Sequence, residues 1–229
     1  MIKKSQEIYA LIPARSGSKR VKNKNFKVLR NNKNLLKINI DLALKSKRFD
    51  KIYVNSNKDF NHKVQKSVFF FKRSKKLSNK DATLIDVVHD FIKKNNFNNK
   101  DIICLMLATS PLKNNYDLNC CLNKFLKNKK KYPVISITRD YNSLDLSLII
   151  KNKFALTINN NIKKFNIVKE KRTKTFHFND GFIVDTVKNF LSRKSLFSNK
   201  NLFYEMSEER GFFIDTKFQM KILENHLLK

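Results

Sequence analysis

Residues 101–107 (DIICLML) form an unbroken apolar run of strand length. Just before them, residues 81–94 carry Leu84, Val87, Val88, Phe91 and Ile92 at helical spacing. A strand without a polar face must be covered on both sides, and an amphipathic helix supplies such a cover. The alternation extends through the first half of the chain. Residues 7–12, 51–55, 67–71 and 133–138 read as strands, and residues 34–47 and 115–128 as helices. This rhythm predicts an α/β fold with a doubly wound, mostly parallel sheet. Ligands on such sheets bind beyond the carboxyl ends of the strands.

Residues 139–178 break the rhythm with short β-like pieces (SLII, KFALTI, KFNIV) between Asn/Lys turns. They predict a small antiparallel excursion that serves as a dimerisation arm. Residues 182–186, 202–206 and 211–214 are expected to return to the sheet, and 215–228 to close with a helix. The chain of 229 residues has no repeat and no Pro/Ser-rich linker, so residues 1–229 are expected to form a single domain.

The first strand runs into LIPARSGSKRVKNKN (11–25), where Pro13 and Gly17 define a turn carrying Arg15, Lys19, Arg20, Lys22 and Lys24. Only three glycines occur in the whole chain, and Gly17 is one of them. A glycine that lets backbone N–H groups approach an anion, ringed by cations, marks a phosphate-binding loop. The spacing is neither a Walker A motif nor a dinucleotide fingerprint. A cation-rich turn after the first strand suits a triphosphate, whose charge must be neutralised before phosphorus is attacked.

Around this loop a family resemblance emerges. The strand followed by PARSGSKxxxxKN resembles the opening of the nonulosonate cytidylyltransferases, the CMP-sialic, CMP-legionaminic and CMP-pseudaminic acid synthetases of the nucleotide-sugar transferase fold. FKRSKKLSNKDATLIDVV (71–88) resembles the family's nucleoside-pocket stretch, with Arg73, Leu77, Ala82 and Thr83 in register. LMLATSPLKN (105–114), FNDGFIV (178–184) and EERGFFIDT (208–216) resemble the family's central loop, its segment near the sugar and its metal-binding segment.

The resemblance implies roles. Arg15, Lys19 and Lys24 would contact the CTP phosphates and act in catalysis, with Gly17, Ser18, Asn25, Arg73, Ala82 and Thr83 binding the nucleotide. Thr109, Ser110, Asp180 and Gly181 would face the sugar. Arg172, or equally Lys171, would meet its carboxylate, since the family places a basic residue ahead of this segment, often from the partner subunit. Asp215 would hold Mg²⁺. CTP would be the co-substrate and an acidic nine-carbon sugar the acceptor, in a homodimer.

Departures from the family pattern touch the chemistry. Phe213 stands where the family carries the first acid of Asp-x-Asp, and Leu107 where it carries a glutamine. The usual strand ending VSTD becomes Val54-Asn55-Ser56-Asn57. Asp180 replaces a common asparagine and is a candidate substitute carboxylate. A single protein carboxylate can suffice for Mg²⁺, which keeps waters and takes substrate phosphates. The expected activity is CMP transfer from CTP with release of pyrophosphate. Alternatives are a homologue that binds without turnover and, on charge alone, a nucleic-acid binder.

Lys+Arg number 49 against 19 Asp+Glu, a net charge of +30. These cations are spread through the chain, which reads as compositional bias, so a nucleic-acid partner is not expected. Cys104, Cys120 and Cys121 show neither metal-ligand spacing nor a disulfide framework, consistent with a reducing cytoplasm. The N-terminal stretch lacks a signal-peptide pattern and no window is long enough for a membrane span, so no membrane association is expected.

Overall fold

The computed structural model describes residues 6–58, 67–79, 81–142, 144–158 and 166–227. A seven-stranded sheet carries the fold, built from β1 (Ile8–Pro13), β2 (Lys51–Ser56), β3 (Val68–Lys72), β4 (Ile102–Met106), β5 (Val134–Asp140), β8 (Thr175–Thr186) and β9 (Leu202–Met206). Its order is β3-β2-β1-β4-β8-β5-β9. Every pairing is parallel except those of β8, which runs antiparallel to both β4 and β5.

The apolar run of β4 is buried along its full length. Its alternating side chains supply two cores. Ala10, Ile12, Cys104 and Met106 pack with α1 (Leu35–Ser46) and α3 (Asn115–Lys127). Tyr9, Leu11, Ile103 and Leu105 pack with α2 (Leu84–Lys93) and the short α4 (Val187–Leu191). The period-2 geometry of the strands divides these residues between opposite faces. A third cluster joins Val21, Leu29, Leu35, Ala108 and Ile214 to Met220 and Leu223 of α5 (Lys217–His226). It anchors the loop after β1 and the segment before α5 to one another.

The helices begin where side chains satisfy their free N–H groups. Thr83 with Asp86, Asn114 with Asp117, and Thr216 with Gln219 form reciprocal caps on α2, α3 and α5. These caps explain why α2 starts at Leu84 and α5 at Lys217, later than apolar periodicity alone suggested.

Three sequence expectations need correction. Residues 211–214 form no strand. Gly211 N–H donates to the Ser207 carbonyl and Ile214 N–H to the Thr109 carbonyl, so the segment crosses the end of the sheet instead of joining its ladder. The interruption after β5 is shorter than residues 139–178, because β5 continues to Asp140 and β8 already begins at Thr175. β8 is a single 12-residue strand, whereas periodicity showed only its apolar second half. Inside the interruption, β6 (Leu148–Lys151) and β7 (Phe154–Thr157) form a separate antiparallel pair. The expected strand-like piece KFNIV (164–168) lies partly outside the described residues.

Candidate active site

β1 pairs with β2 on one side and β4 on the other, so the chain's winding reverses at β1. Beyond the carboxyl ends of β1 and β4 their loops separate and leave a crevice. A cleft of about 350 Å³ lies there, lined among others by Arg15, Lys24, Arg73, Thr109, Asp180 and Asp215. Asn25, Ala82, Thr83 and Leu107 also line it. An adjoining cavity of about 460 Å³ adds Gly17, Ser18 and Lys19, and shares Arg15, Lys24, Asn25 and Thr109 with the first.

The β1 loop is held by contacts that leave its cations facing these cavities. Ser16 N–H donates to Asn57 Oδ1 (2.8 Å), and Asn57 Nδ2 donates back to Ser16 Oγ (3.0 Å). Gly17 has φ of +81°, a left-handed conformation that side chains disfavour, and no atom lies within 4 Å of the place a Cβ would take. The requirement for glycine is therefore one of backbone conformation and not of space. Asn25 is buried; its Nδ2 donates to the Arg15 carbonyl (3.2 Å), and its Oδ1 has no partner among the described residues.

Arg73 is also buried, donating to Asn55 Oδ1 (2.6 Å). Burial, with Arg15 nearby, lowers its pKa to about 10. No carboxylate is paired with it among the described residues. Asn55 thus holds Arg73, and Asn57, which stands at the acid of the VSTD pattern, holds the loop after β1.

On the opposite wall, Lys24 Nζ donates to the Ile214 carbonyl (2.7 Å) and sits 3.4 Å from Asp215 Oδ1. Arg20 forms an ion pair with the same carboxylate. Burial lowers the Lys24 pKa more than Asp215 raises it. Asp180 has φ of +56° within an irregularity of β8, and its Oδ2 accepts from Thr109 Oγ (2.8 Å). Burial raises its pKa, opposed by the Thr109 hydrogen bond and by Lys113 and Lys24.

The irregularity is built around Gly181. A Cβ there would lie 2.5 Å from Ser136 Oγ and 2.8 Å from Asn179 Oδ1, so this backbone requires glycine. The strand's extra residues bring Asp180 into the cleft while Asn179 turns inward to Ser136 and Thr138.

Beneath the cleft, Lys113 is 5 % exposed. Burial drives its pKa to about 7, against the pull of Cys104 on β4, Asp180 on β8, and Cys121 and Asp117 on α3. In the unfolded chain this lysine holds its proton up to its ordinary value of 10.5. Stability should therefore rise with pH between about 7 and 10.5 through this group, and its contribution should be constant below that window. Urea titrations of wild type and Lys113→Met from pH 7 to 9 should diverge with a slope approaching about 1.4 kcal/mol per pH unit.

Not every expected site residue lines the cleft. Ser110 is fully buried beneath it, and Gly181 shapes it from below. Arg172 lies in the interrupting segment, where its Nε donates to the Ile167 carbonyl (3.1 Å). Phe213 lines a different cavity of about 200 Å³ and meets His177 edge-on, with ring centroids 5.8 Å apart. Sequence reasoning left Arg20 without an assigned role, although it named it among the loop cations. Lys113 escaped it altogether; the signal was a lone lysine between an apolar loop and the Asn114 cap.

The donor set facing the cleft is oxygen only (Asp215, Asp180, Thr109), with no histidine or cysteine lining it. Among the described residues no group of three or more His, Cys, Asp or Glu forms a protein-only metal cage. That chemistry fits a hard divalent cation that takes most of its ligands from phosphates and water.

A mostly parallel sheet whose switch-point crevice combines a cationic loop with oxygen donors defines a Rossmann-like nucleotidyltransferase fold. The chain belongs to the cytidylyltransferase family, whose model matches residues 9–223. It is 28% identical over 218 residues to a pseudaminic acid cytidylyltransferase of Campylobacter jejuni, covering 90% of each chain. It is 23% identical over 222 residues to an N-acylneuraminate cytidylyltransferase of Streptococcus agalactiae, covering 95% of this chain and 52% of that one. The chain thus spans about half the length of the streptococcal relatives it matches. Among solved structures, a CMP:2-keto-3-deoxy-manno-octonic acid synthetase complexed with CTP matches with a TM-score of 0.66 at 13% identity, covering 97% of this chain and 99% of that one. A 4-diphosphocytidyl-2C-methyl-D-erythritol synthase of Anaerococcus prevotii matches with a TM-score of 0.65 at 14% identity, covering 98% and 97%. Among the described residues no helix is long and apolar enough to cross a membrane.

Proposed function

We propose that this chain transfers CMP from CTP to the anomeric hydroxyl of an acidic nine-carbon sugar. The observation that carries the reading is one cleft in which the cationic β1 loop faces Asp215 and Asp180 at the switch point of the sheet. The sugar oxygen bonds to the α-phosphorus, the α–β phosphoanhydride bond breaks, and pyrophosphate leaves with the electron pair. The hydroxyl proton passes to solvent.

Arg15, Lys19 and Lys24 neutralise the charge that grows on the phosphates. Asn25 and Arg73 offer an acceptor and a donor to the nucleoside, beside Ala82 and Thr83. Asp215 would hold Mg²⁺, which supplies Lewis-acid polarisation of the phosphates when bound. Before the nucleotide enters, Arg20 and Lys24 hold this carboxylate, and triphosphate oxygens compete for the same cations. The names of the Campylobacter and streptococcal relatives support an acidic nine-carbon acceptor.

Purified protein with CTP, Mg²⁺ and a panel of nonulosonic acids should release pyrophosphate and form a CMP-sugar detectable by mass spectrometry. No product from any acceptor, beside a competent control enzyme, would overturn the reading.

The β6–β7 pair supports a homodimer. Leu148, Ile149, Ile150 and Phe154 are all exposed on it, with Ile150 75% exposed. Such an apolar surface marks an interface. A second copy covering it would bring in Arg172 for the acceptor carboxylate, whose geometry a guanidinium matches. Sedimentation velocity should find a dimer for wild type and monomers for Ile150→Lys/Phe154→Lys. A monomeric wild type at micromolar concentration would contradict the arm's role.

A further inference from the structure

Lys113 Nζ donates to the Leu107 carbonyl (2.6 Å) and the Gly181 carbonyl (3.1 Å), and lies 5.1 Å from the centre of the Phe182 ring. It has no ion-pair partner within bonding distance among the described residues. An ammonium group taken out of water is costly, and an apolar side chain of similar volume would fill the same space without that penalty. What the lysine does and a methionine would not is join two carbonyls from two different elements.

Those carbonyls flank the working groups. Leu107 lies two residues before Thr109, and Gly181 directly follows Asp180. Thr109 Oγ donates to Asp180 Oδ2, and the Thr109 carbonyl accepts from Ile214 N–H, next to Asp215. One buried amine therefore fastens the β4 loop to the β8 irregularity. The β4 loop in turn fastens the segment bearing Asp215. Asp180 has left-handed backbone geometry, which aspartate tolerates better than most residues, and the surrounding bonds hold it there.

We propose that Lys113 is a positioning residue for nucleotidyl transfer, holding the Asp180 carboxylate in register with Thr109 and, through Thr109, with Asp215. It touches neither nucleotide nor acceptor. Its effect reaches the reaction through the placement of groups that do, and a displacement of about 1 Å can lower turnover by about 10²-fold. The inference about rate rests on the transferase reading above; the inference about geometry does not.

The test compares wild type with Lys113→Met, Lys113→Arg and Arg193→Met. Arg193 forms a buried ion pair with Asp185, which faces Ile103 near the amino end of β4, away from the cleft. Its replacement controls for a general loss of stability. Lys113→Met should lower kcat by about 10- to 100-fold with little change in the KM for CTP. Lys113→Arg, which keeps N–H donors at this place, should recover part of the loss. Arg193→Met should lose stability and keep kcat.

Amide chemical shifts of Thr109, Asp180 and Gly181 should move in folded Lys113→Met and remain in place in Arg193→Met. A folded Lys113→Met with wild-type kcat, or a loss in Arg193→Met as large as in Lys113→Met, overturns the proposal. If wild type itself turns over no acceptor, the transferase reading fails and the amide shifts alone decide. Unmoved shifts at Thr109 and Asp180 then refute the positioning role.

Discussion

Lys24→Met should lower CMP transfer by about 10²- to 10³-fold in kcat, the scale found when one preorganised donor to a developing oxyanion is removed. Lys24 is the cation of the β1 loop most firmly placed by the fold, through its bond to the Ile214 carbonyl. It is largely withdrawn from water, which lowers its pKa and strengthens its field on a phosphate brought beside it. Methionine keeps the aliphatic stem and removes the charge. The variant should therefore fold, because the lost interactions are one hydrogen bond and a weak contact to a carboxylate that Arg20 also holds. Pyrophosphate release at saturating CTP is the measurement. Turnover equal to that of wild type would show that the loop's other cations suffice, and would remove Lys24 from the reaction. Lys19 and Arg15 should have smaller effects on kcat and larger ones on KM. Among the described residues the Lys19 side chain has no hydrogen-bond or ion-pair partner, and that of Arg15 bonds the Asn79 carbonyl.

Arg210→Met should destabilise the fold by about 3 kcal/mol, at the low end for stranding a buried charge. Asp117 is fully buried and accepts from Arg210 Nε (3.1 and 3.2 Å), from the Tyr204 hydroxyl (3.0 Å) and from Asn114 N–H (3.0 Å). Without Arg210 the carboxylate keeps two neutral donors and no cation, which places the expected loss at the lower end. Asp117→Ala should be milder, about 2 kcal/mol. It forfeits an α3 cap and a charged hydrogen bond, but it leaves the partly exposed Arg210 free to reach water. Urea unfolding of both variants checks the order. The reverse order would mean that the cap, and not the buried charge, dominates. Arg210 also begins the segment that ends in Asp215, so both variants should weaken Mg²⁺-dependent CTP binding by calorimetry.

Much of the fold was legible because it rests on local pattern. β4 is buried end to end and its sequence is apolar end to end; α2 has its apolar stripe. The loop after β1 was legible for a related reason. Scarce glycine, a proline break and clustered cations need no distant partner to be recognised. β8 was half hidden. Its first residues, TFHFND, run along β5, and Asn179 and Asp180 among them bond Ser136, Thr138 and Thr109, contacts that no period reveals. Residues 211–214 misled because an apolar stretch reads as a strand whether it enters a ladder or, like Ile214, packs into a cluster beneath a loop.

The sequence by itself determined the alternating architecture, the phosphate-type loop and the identities of the cations and acids, because these depend on residue type and near spacing. Only the tertiary structure decided which of them meet. It set Asp180 and Asp215 in one cleft with Lys24, turned Phe213 aside toward His177, and placed Lys113 under the cleft between two carbonyls. These placements depend on a strand irregularity and a segment crossing the end of the sheet. Both are fixed by bonds between residues tens of positions apart, and pairings at that distance leave no trace in local periodicity.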